Sequence, residues 1–177
     1  MENIGQSVNQ RLFADDTRSV YAVLDGASIP ELLGRLRQYQ PEYICLYRGE
    51  LPPDMAQVAP YLVHLQIDTD FTGWVTDEGW GKHWGIFALS RLDFSVLRQH
   101  FRNFLTVYDP DARPLLFRYY DPRVLRRYLP TCNSQELATV FGQVDSYLLE
   151  DEQGEAMLCF QVISGKLKIE KLELNNG

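Results

Sequence analysis

Short apolar runs bounded by turn residues recur along the chain and alternate with amphipathic segments. Four of these runs predict buried strands: VYAVL (20–24), YICLY (43–47), YLVHL (61–65) and GIFAL (85–89). Between the first two runs, the segment ASIPELLGRLRQYQP predicts a helix, in which Ser28 and Glu31 fit a capping box. Because a strand–helix–strand unit of this size is typical of a βαβ crossover, we expect the first two strands to be parallel.

The rest of the chain predicts strands and helices without strict alternation. Segment 66–84, rich in Gly, Thr, Asp and Trp, predicts an irregular loop with a short helix near Trp80. Asp93 and Asp121 are suitable N-caps for two helices, and Ser134 begins a third. Two late apolar runs flank the polar turn EDEQGE and predict a hairpin.

These patterns predict an α/β fold with a mixed sheet and flanking helices, with a small, mainly helical C-terminal lobe as a variant of it. Residues 1–17 are polar and show no hydrophobic periodicity, so we interpret them as a flexible N-terminal lead. Residues 18–150 form the predicted α/β domain, and residues 151–177 form a C-terminal hairpin strand and tail.

Composition narrows the function classes. The chain has 177 residues and a formal net charge of −7, which weighs against non-specific binding to nucleic acid, because that requires a positive surface. The N-terminus lacks the apolar core of a signal peptide, no apolar run is long enough to span a membrane, and the three cysteines form no C-x-x-C pair. We therefore expect a cytoplasmic protein that binds no membrane.

Few residues suggest catalysis or cofactor binding. The three histidines have no metal-ligand spacing, and no glycine-rich phosphate loop is present, so we expect neither a metal nor a cofactor. His83, in the glycine–tryptophan segment, is the one histidine whose surroundings suggest chemistry. A small hydrolase or transferase that uses His83 with Asp25 or Asp70 is therefore the alternative to a non-catalytic protein.

The segment FRYYDPRVLRRYLP (117–130) concentrates arginine and tyrosine in an acidic chain. If Asp121 caps the helix PRVLRRYL, the arginines form a rim around an apolar element, which is typical of a protein interface. The solvated helix face and the nucleic-acid module remain alternatives. Tryptophans 74 and 80 belong either to a recognition surface or to rings that pin a loop. The predicted partner-binding residues are Arg118, Tyr120, Arg123, Arg126, Arg127, Trp74 and Trp80.

Several blocks of the chain, in the same order, resemble the domain-of-unknown-function family 4123. These blocks are YAVLDGA, LYRGELPPDMAQVAPYLVHL, GWGKHWGIFALS, LRQHFRNFL, and LLFRYYDPRVLRRYLPTC followed by ELATVFGQV. The resemblance covers about residues 18–150. It implies an adaptor chaperone of type VI secretion, which binds a toxic effector and helps to load it onto the spike protein. It implies no enzymatic activity and supplies no catalytic residues.

Overall fold

The computed structural model describes residues 3–174. These residues form seven α-helices: α1 (Ile4–Leu12), α2 (Leu32–Tyr39), α3 (Pro53–Val58), α4 (Asp70–Gly79), α5 (Phe94–Asn103), α6 (Pro122–Tyr128) and α7 (Ser134–Phe141). The strands are β1 (Ser19–Asp25), β2 (Tyr43–Cys45), β3 (Pro60–Leu65), β4 (Gly85–Ser90), β5 (Thr106–Tyr108), β6 (Pro114–Leu116), β7 (Ser146–Glu150), β8 (Ala156–Ile163) and β9 (Lys166–Glu173). A 3-10 turn, Leu129–Thr131, follows α6.

Seven strands form one sheet in the order β2-β3-β1-β4-β7-β8-β9, and β5 pairs with β6 in a separate hairpin. The predicted α/β class with helices flanking the sheet is confirmed. The predicted mixed sheet is wrong, because every described strand pair is antiparallel. Strands β1 and β2 do run in the same direction, but β3 returns between them and pairs with both.

Both faces of the sheet are covered around β1, which is buried along nearly its whole length, whereas β9 at the far edge is mostly exposed. Val20, Ala22 and Leu24 point to the core that includes residues of α1, α2 and α4. Tyr21 and Val23 point to the opposite core, which includes residues of α5, α6 and α7. This double cover explains why the strand is continuously apolar rather than alternating.

The N-terminal segment differs from the predicted flexible lead. Asn3 caps α1 through a capping box with Gln6, and Val8 and Leu12 are buried in the first core. Helix formation depends here on tertiary packing against α4, because a nine-residue polar segment has little helical stability of its own.

Two local predictions in the first half are also corrected. Helix α2 begins at Leu32 without a side-chain cap, because the Ser28 hydroxyl donates instead to Asp25. The predicted loop over 66–84 contains the ten-residue helix α4, which Thr69 caps and which ends just before Trp80.

The C-terminal part is made mostly of strands, so the variant with a mainly helical lobe is not supported. Strands β7, β8 and β9 extend the main sheet beyond β4. Positions 1, 2 and 175–177, at the ends of the predicted lead and tail, lie outside the described residues.

Candidate functional site

Two strands, β1 and β7, have an acidic residue at their C-terminal ends, which lie at the same end of the main sheet. Asp25 ends β1, and its backbone N–H donates to the Trp84 carbonyl just before β4 (2.8 Å). Glu150 ends β7, and extending the β4–β7 register places it opposite Gly85. We call Asp25 and Glu150 the acidic sheet end.

Asp25 is 1% exposed and forms an ion pair with Arg118. Its Oδ2 accepts hydrogen bonds from Arg118 Nη2 (2.5 Å) and Ser28 Oγ (2.8 Å), and its Oδ1 accepts one from the Ala27 N–H (3.0 Å). These contacts satisfy the buried carboxylate. They join the turn after β1 to the FRYYDPR block, 93 residues away in the chain.

Arg118 also packs over the ring of Tyr120, at 5.9 Å from the ring centroid. Burial alone would lower the pKa of Arg118, but the charge and the hydrogen bond of Asp25 outweigh it and raise the pKa. Tyr120 itself is 1% exposed. The first half of the arginine-rich segment is therefore a packed connection between two parts of the fold.

Asp121 caps α6 as predicted, since its Oδ1 accepts from the Arg123 N–H (2.9 Å). The same carboxylate holds the Arg123 guanidinium through two hydrogen bonds, of 3.0 and 2.7 Å. Burial favours a higher pKa for Asp121, but the hydrogen bonds from Arg123 dominate and lower it.

We expect Asp121→Asn to lower the free energy of unfolding by about 1 kcal/mol at pH 7, because asparagine keeps the cap but loses the charge-assisted bonds to the half-exposed Arg123. The folded-state pKa of Asp121 lies below its unfolded value, so the ionised carboxylate stabilises the protein above about pH 4. This contribution is lost as the pH falls through the folded-state pKa. Urea unfolding at pH 7, 5 and 3.5 should therefore show the two proteins converging, whereas a pH-independent difference would contradict a charge effect.

Arg126 contacts the other member of the acidic sheet end. Its Nη1 donates to the backbone carbonyl of Glu150 (2.9 Å), while its Nε is buried without a hydrogen-bond partner among the described residues. Arg127 is exposed and forms no ion pair within residues 3–174. Of the three helix arginines, two are therefore engaged in holding the fold.

The Glu150 side chain points to the opposite face of the sheet from Asp25. It accepts hydrogen bonds from the N–H groups of Gly81 (2.7 Å) and His83 (3.1 Å), and it forms a short contact with the His83 ring Nδ1. Burial raises the pKa of Glu150, and the Gly81 and His83 contacts oppose this rise. The loop that connects α4 to β4 is thereby fixed to the end of β7.

The predicted pairing of His83 with Asp25 or Asp70 is not found. Asp25 lies on the other face and holds Arg118, and Asp70 begins α4, whereas His83 follows the end of that helix. A histidine–carboxylate pair does exist with Glu150, but the cavity beside Glu150 measures about 10 Å³, which is space for about one water molecule. The geometry favours a structural role for this pair.

The two predicted tryptophans lie in different settings. Trp74 is 8% exposed and packs against Trp84, with ring centroids 4.7 Å apart. Trp80 is partly exposed, and its Nε1 donates to the Gly154 carbonyl (2.8 Å). Burial keeps the side chains of Trp74 and Tyr120 away from direct contact with a partner in this conformation. That the other predicted residues bind a partner stays a prediction.

The β5–β6 hairpin presents large apolar side chains to solvent. Val107 (38% exposed) and Leu115 (49%) face one way, whereas Tyr108 (69%) and Leu116 (55%) face the other. The hairpin is not paired with the main sheet, and every residue of its two strands is exposed. Such clustering differs from the single exposed apolar residues that are normal on a surface.

A groove of about 470 Å³ adjoins the hairpin between α5 and α7, and its lining includes Val107, Phe104, Phe117 and Tyr128. His100, on the groove wall, contacts the Val140 carbonyl through Nε2 (3.1 Å), and burial lowers its pKa. Sequence reasoning did not identify this surface. The available signal was the pair of short apolar runs around the turn Asp109–Arg113.

Two further features of the described residues bear on function. No group of three or more His, Cys, Asp or Glu side chains within residues 3–174 is arranged to hold a metal ion. None of the helices described in that range is long and apolar enough to cross a bilayer.

The chain belongs to the family described as "Domain of unknown function (DUF4123)", whose sequence profile matches residues 20–139. No curated protein and no solved structure matches the chain.

Proposed function

We propose that this protein is a non-catalytic adaptor chaperone, which binds a type VI secretion effector and helps to load it onto the spike protein. The role is the one that the family resemblance implies. The observation that carries a protein-binding function is the β5–β6 hairpin, with Tyr108 and Leu116 exposed beside an apolar groove.

The hairpin suits a docking element for physical reasons. An isolated two-stranded hairpin is marginally stable in water, and this one exposes apolar side chains on both faces. Covering them with an effector segment would bury apolar area, which is the main favourable contribution in most protein association. Val107 lines the groove together with Phe117 and so continues this apolar surface from the hairpin into the groove.

The acidic sheet end has a supporting role in this proposal. Asp25 and Glu150 fix the positions of the arginine-rich segment and the glycine–tryptophan loop. Since the hairpin directly precedes Phe117 and Arg118 in the chain, the Asp25–Arg118 pair holds the base of the docking element in place.

We expect the double variant Tyr108→Asp/Leu116→Asp to lose effector binding without a large change in stability, because both side chains are mostly exposed. The tagged protein is co-expressed with the products of the genes that adjoin its own, and recovery of an effector and of a spike protein is measured. The effector recovered should fall at least about tenfold, since buried charges in an apolar interface are costly. Thermal unfolding should change by only a few degrees.

Met55→Asp is the control, since Met55 is 44% exposed on α3 and belongs neither to the hairpin nor to the lining of the groove. Normal effector recovery by the double variant would remove the hairpin from the proposal. Failure of the wild-type protein to recover either the effector or the spike protein would overturn the adaptor function itself.

A further inference from the structure

Three arginines lie together near the outer strand of the sheet without a carboxylate partner. Arg98 and Arg102 are one helical turn apart on α5, and Arg48 follows strand β2. Within residues 3–174, none of the three forms an ion pair, whereas Arg18, Arg91, Arg113, Arg118 and Arg123 each hold an aspartate. We call Arg48, Arg98 and Arg102 the arginine cluster.

The cluster is electrostatically unfavourable as it stands. Burial is the main cause that lowers the pKa of Arg102, and the positive charges of Arg98 and Arg48 lower it further. The Nε atoms of Arg98 and Arg102 are buried without a hydrogen-bond partner in the described part of the chain. Like charges at i,i+4 on a helix are destabilising. In a chain with 24 acidic residues and 17 basic ones, nearby carboxylates would relieve this repulsion, yet none pairs with the cluster.

The cluster borders an open edge of the sheet. Strand β2 is the outermost strand, and it is three residues long. Its neighbours Glu42 and Leu46 bond to β3 through their backbone groups, so the alternating pattern turns the carbonyl of Cys45 outward. Arg102 Nη2 donates to that carbonyl (2.8 Å). Glu42, just before the strand, contacts His64 (3.0 Å). It lines one cavity with Asp93 and Arg98, but within residues 3–174 neither carboxylate forms an ion pair with the cluster.

We propose that the arginine cluster and the outer edge of β2 bind an acidic, extended segment of a partner protein. Carboxylates of that segment pair with Arg48 and Arg98, which complements the unpaired positive charge. The backbone of the segment lies beside the outer edge of β2, where the register turns the backbone groups of Tyr43 outward, while the Cys45 carbonyl stays bonded to Arg102. The inference rests on the proposed adaptor function, and the occupant is the acidic, extended segment of the protein that the adaptor binds.

A peptide titration tests the surface directly. The probe is a fluorescein-labelled ten-residue peptide that alternates glutamate and threonine, and its control has glutamine in place of glutamate. At low salt, fluorescence anisotropy should show saturable binding of the acidic peptide, and Arg48→Gln/Arg98→Gln should weaken that binding at least about tenfold. Arg11→Gln/Arg18→Gln removes the same charge from arginines that are already engaged, Arg11 by the Glu173 carbonyl and Arg18 by Asp15, and it should leave binding within about twofold of wild type.

Several outcomes would overturn the proposal. These are equal binding of the glutamine peptide, equal losses in the two double variants, and tighter binding of a ten-nucleotide single-stranded DNA than of the acidic peptide. If Arg48→Gln/Arg98→Gln does not fold, Arg48→Gln alone should weaken binding about threefold, because Arg48 is exposed and its loss leaves the core intact.

Co-purification separates this proposal from the adaptor function. If wild type recovers the effector and the spike protein, and Arg48→Gln/Arg98→Gln recovers both equally well, the arginine cluster is not the docking site and the adaptor function stands. If wild type recovers neither, the adaptor function fails, and the peptide titration alone decides whether the surface binds acidic segments.

Discussion

Gly85→Ala is expected to lower the free energy of unfolding by about 3 kcal/mol, at the upper end of the cost of overpacking. A Cβ atom at Gly85 would lie 2.1 Å from the backbone oxygen of Val23, on the neighbouring strand. Because the obstacle is backbone rather than a flexible side chain, β1 and β4 would have to separate at this point. The change would also displace Trp84, whose carbonyl accepts from the Asp25 N–H. Chemical denaturation monitored by tryptophan fluorescence measures the loss.

Gly73→Ala provides the matched control for this substitution. Gly73 lies within α4, and a Cβ atom there would have no neighbour within 4 Å. Alanine should therefore stabilise the protein by up to about 1 kcal/mol, as expected for glycine replaced in a helix. If both glycine variants behave alike, the close approach of β1 and β4 does not limit the stability of the fold.

Asp25→Ala is expected to cost about 3 kcal/mol, because it leaves Arg118 without its partner and removes the acceptor for Ser28 and for the Ala27 N–H. The estimate is at the lower end for a broken buried pair, since the Arg118 side chain is 43% exposed and regains some solvation. Urea unfolding at pH 7 gives the free-energy change. Combining it with Arg118→Gln in a double-mutant cycle isolates the contribution of the pair.

The pair Arg91–Asp145 is the control, with side chains 63% and 30% exposed. Asp145→Ala should cost less than about 1 kcal/mol, as is usual for an exposed ion pair. A cost for Asp25→Ala as small as that for Asp145→Ala would show that the acidic sheet end contributes little to stability.

The strands of the main sheet were largely predictable because their apolar runs are continuous and bounded by turn residues. Their pairing was not, since register depends on contacts far apart in the chain. The local unit from β1 to β2 has the size of a parallel crossover, yet Pro60–Leu65 returns between the two strands. A local pattern carries no information about which later segment will occupy that position.

Besides strand pairing, helix boundaries were also predicted incorrectly, in part because a polar side chain can choose between several hydrogen-bond partners. Ser28 is a suitable cap in sequence, but the buried carboxylate of Asp25 takes its hydroxyl. Residues 4–12 lack an apolar period strong enough to predict a helix, and they fold because Val8 and Leu12 reach a core built from later elements.

The candidate site was predictable only in part. The arginine-rich block was identified and its cap at Asp121 was correct, but the partner of Arg118 lies 93 positions earlier. The predicted rim of arginines is therefore only partly available to a partner, because Arg118 pairs with Asp25 and Arg123 pairs with Asp121. The arginine cluster could not be predicted, because only the packing of α5 beside β2 brings Arg98 and Arg102 near Arg48.

The position of β7 has a consequence for where the chain can be cut. The family match ends at residue 139, inside α7 and before β7 begins. A chain trimmed to residues 20–139 would leave β4 as an edge strand, without the partner that covers Phe87 to Leu89. It would also lack Tyr147, which fills the second core, and the α1 residues that close the first. The segment that matches the family is thus shorter than the part of the chain needed to form both hydrophobic cores.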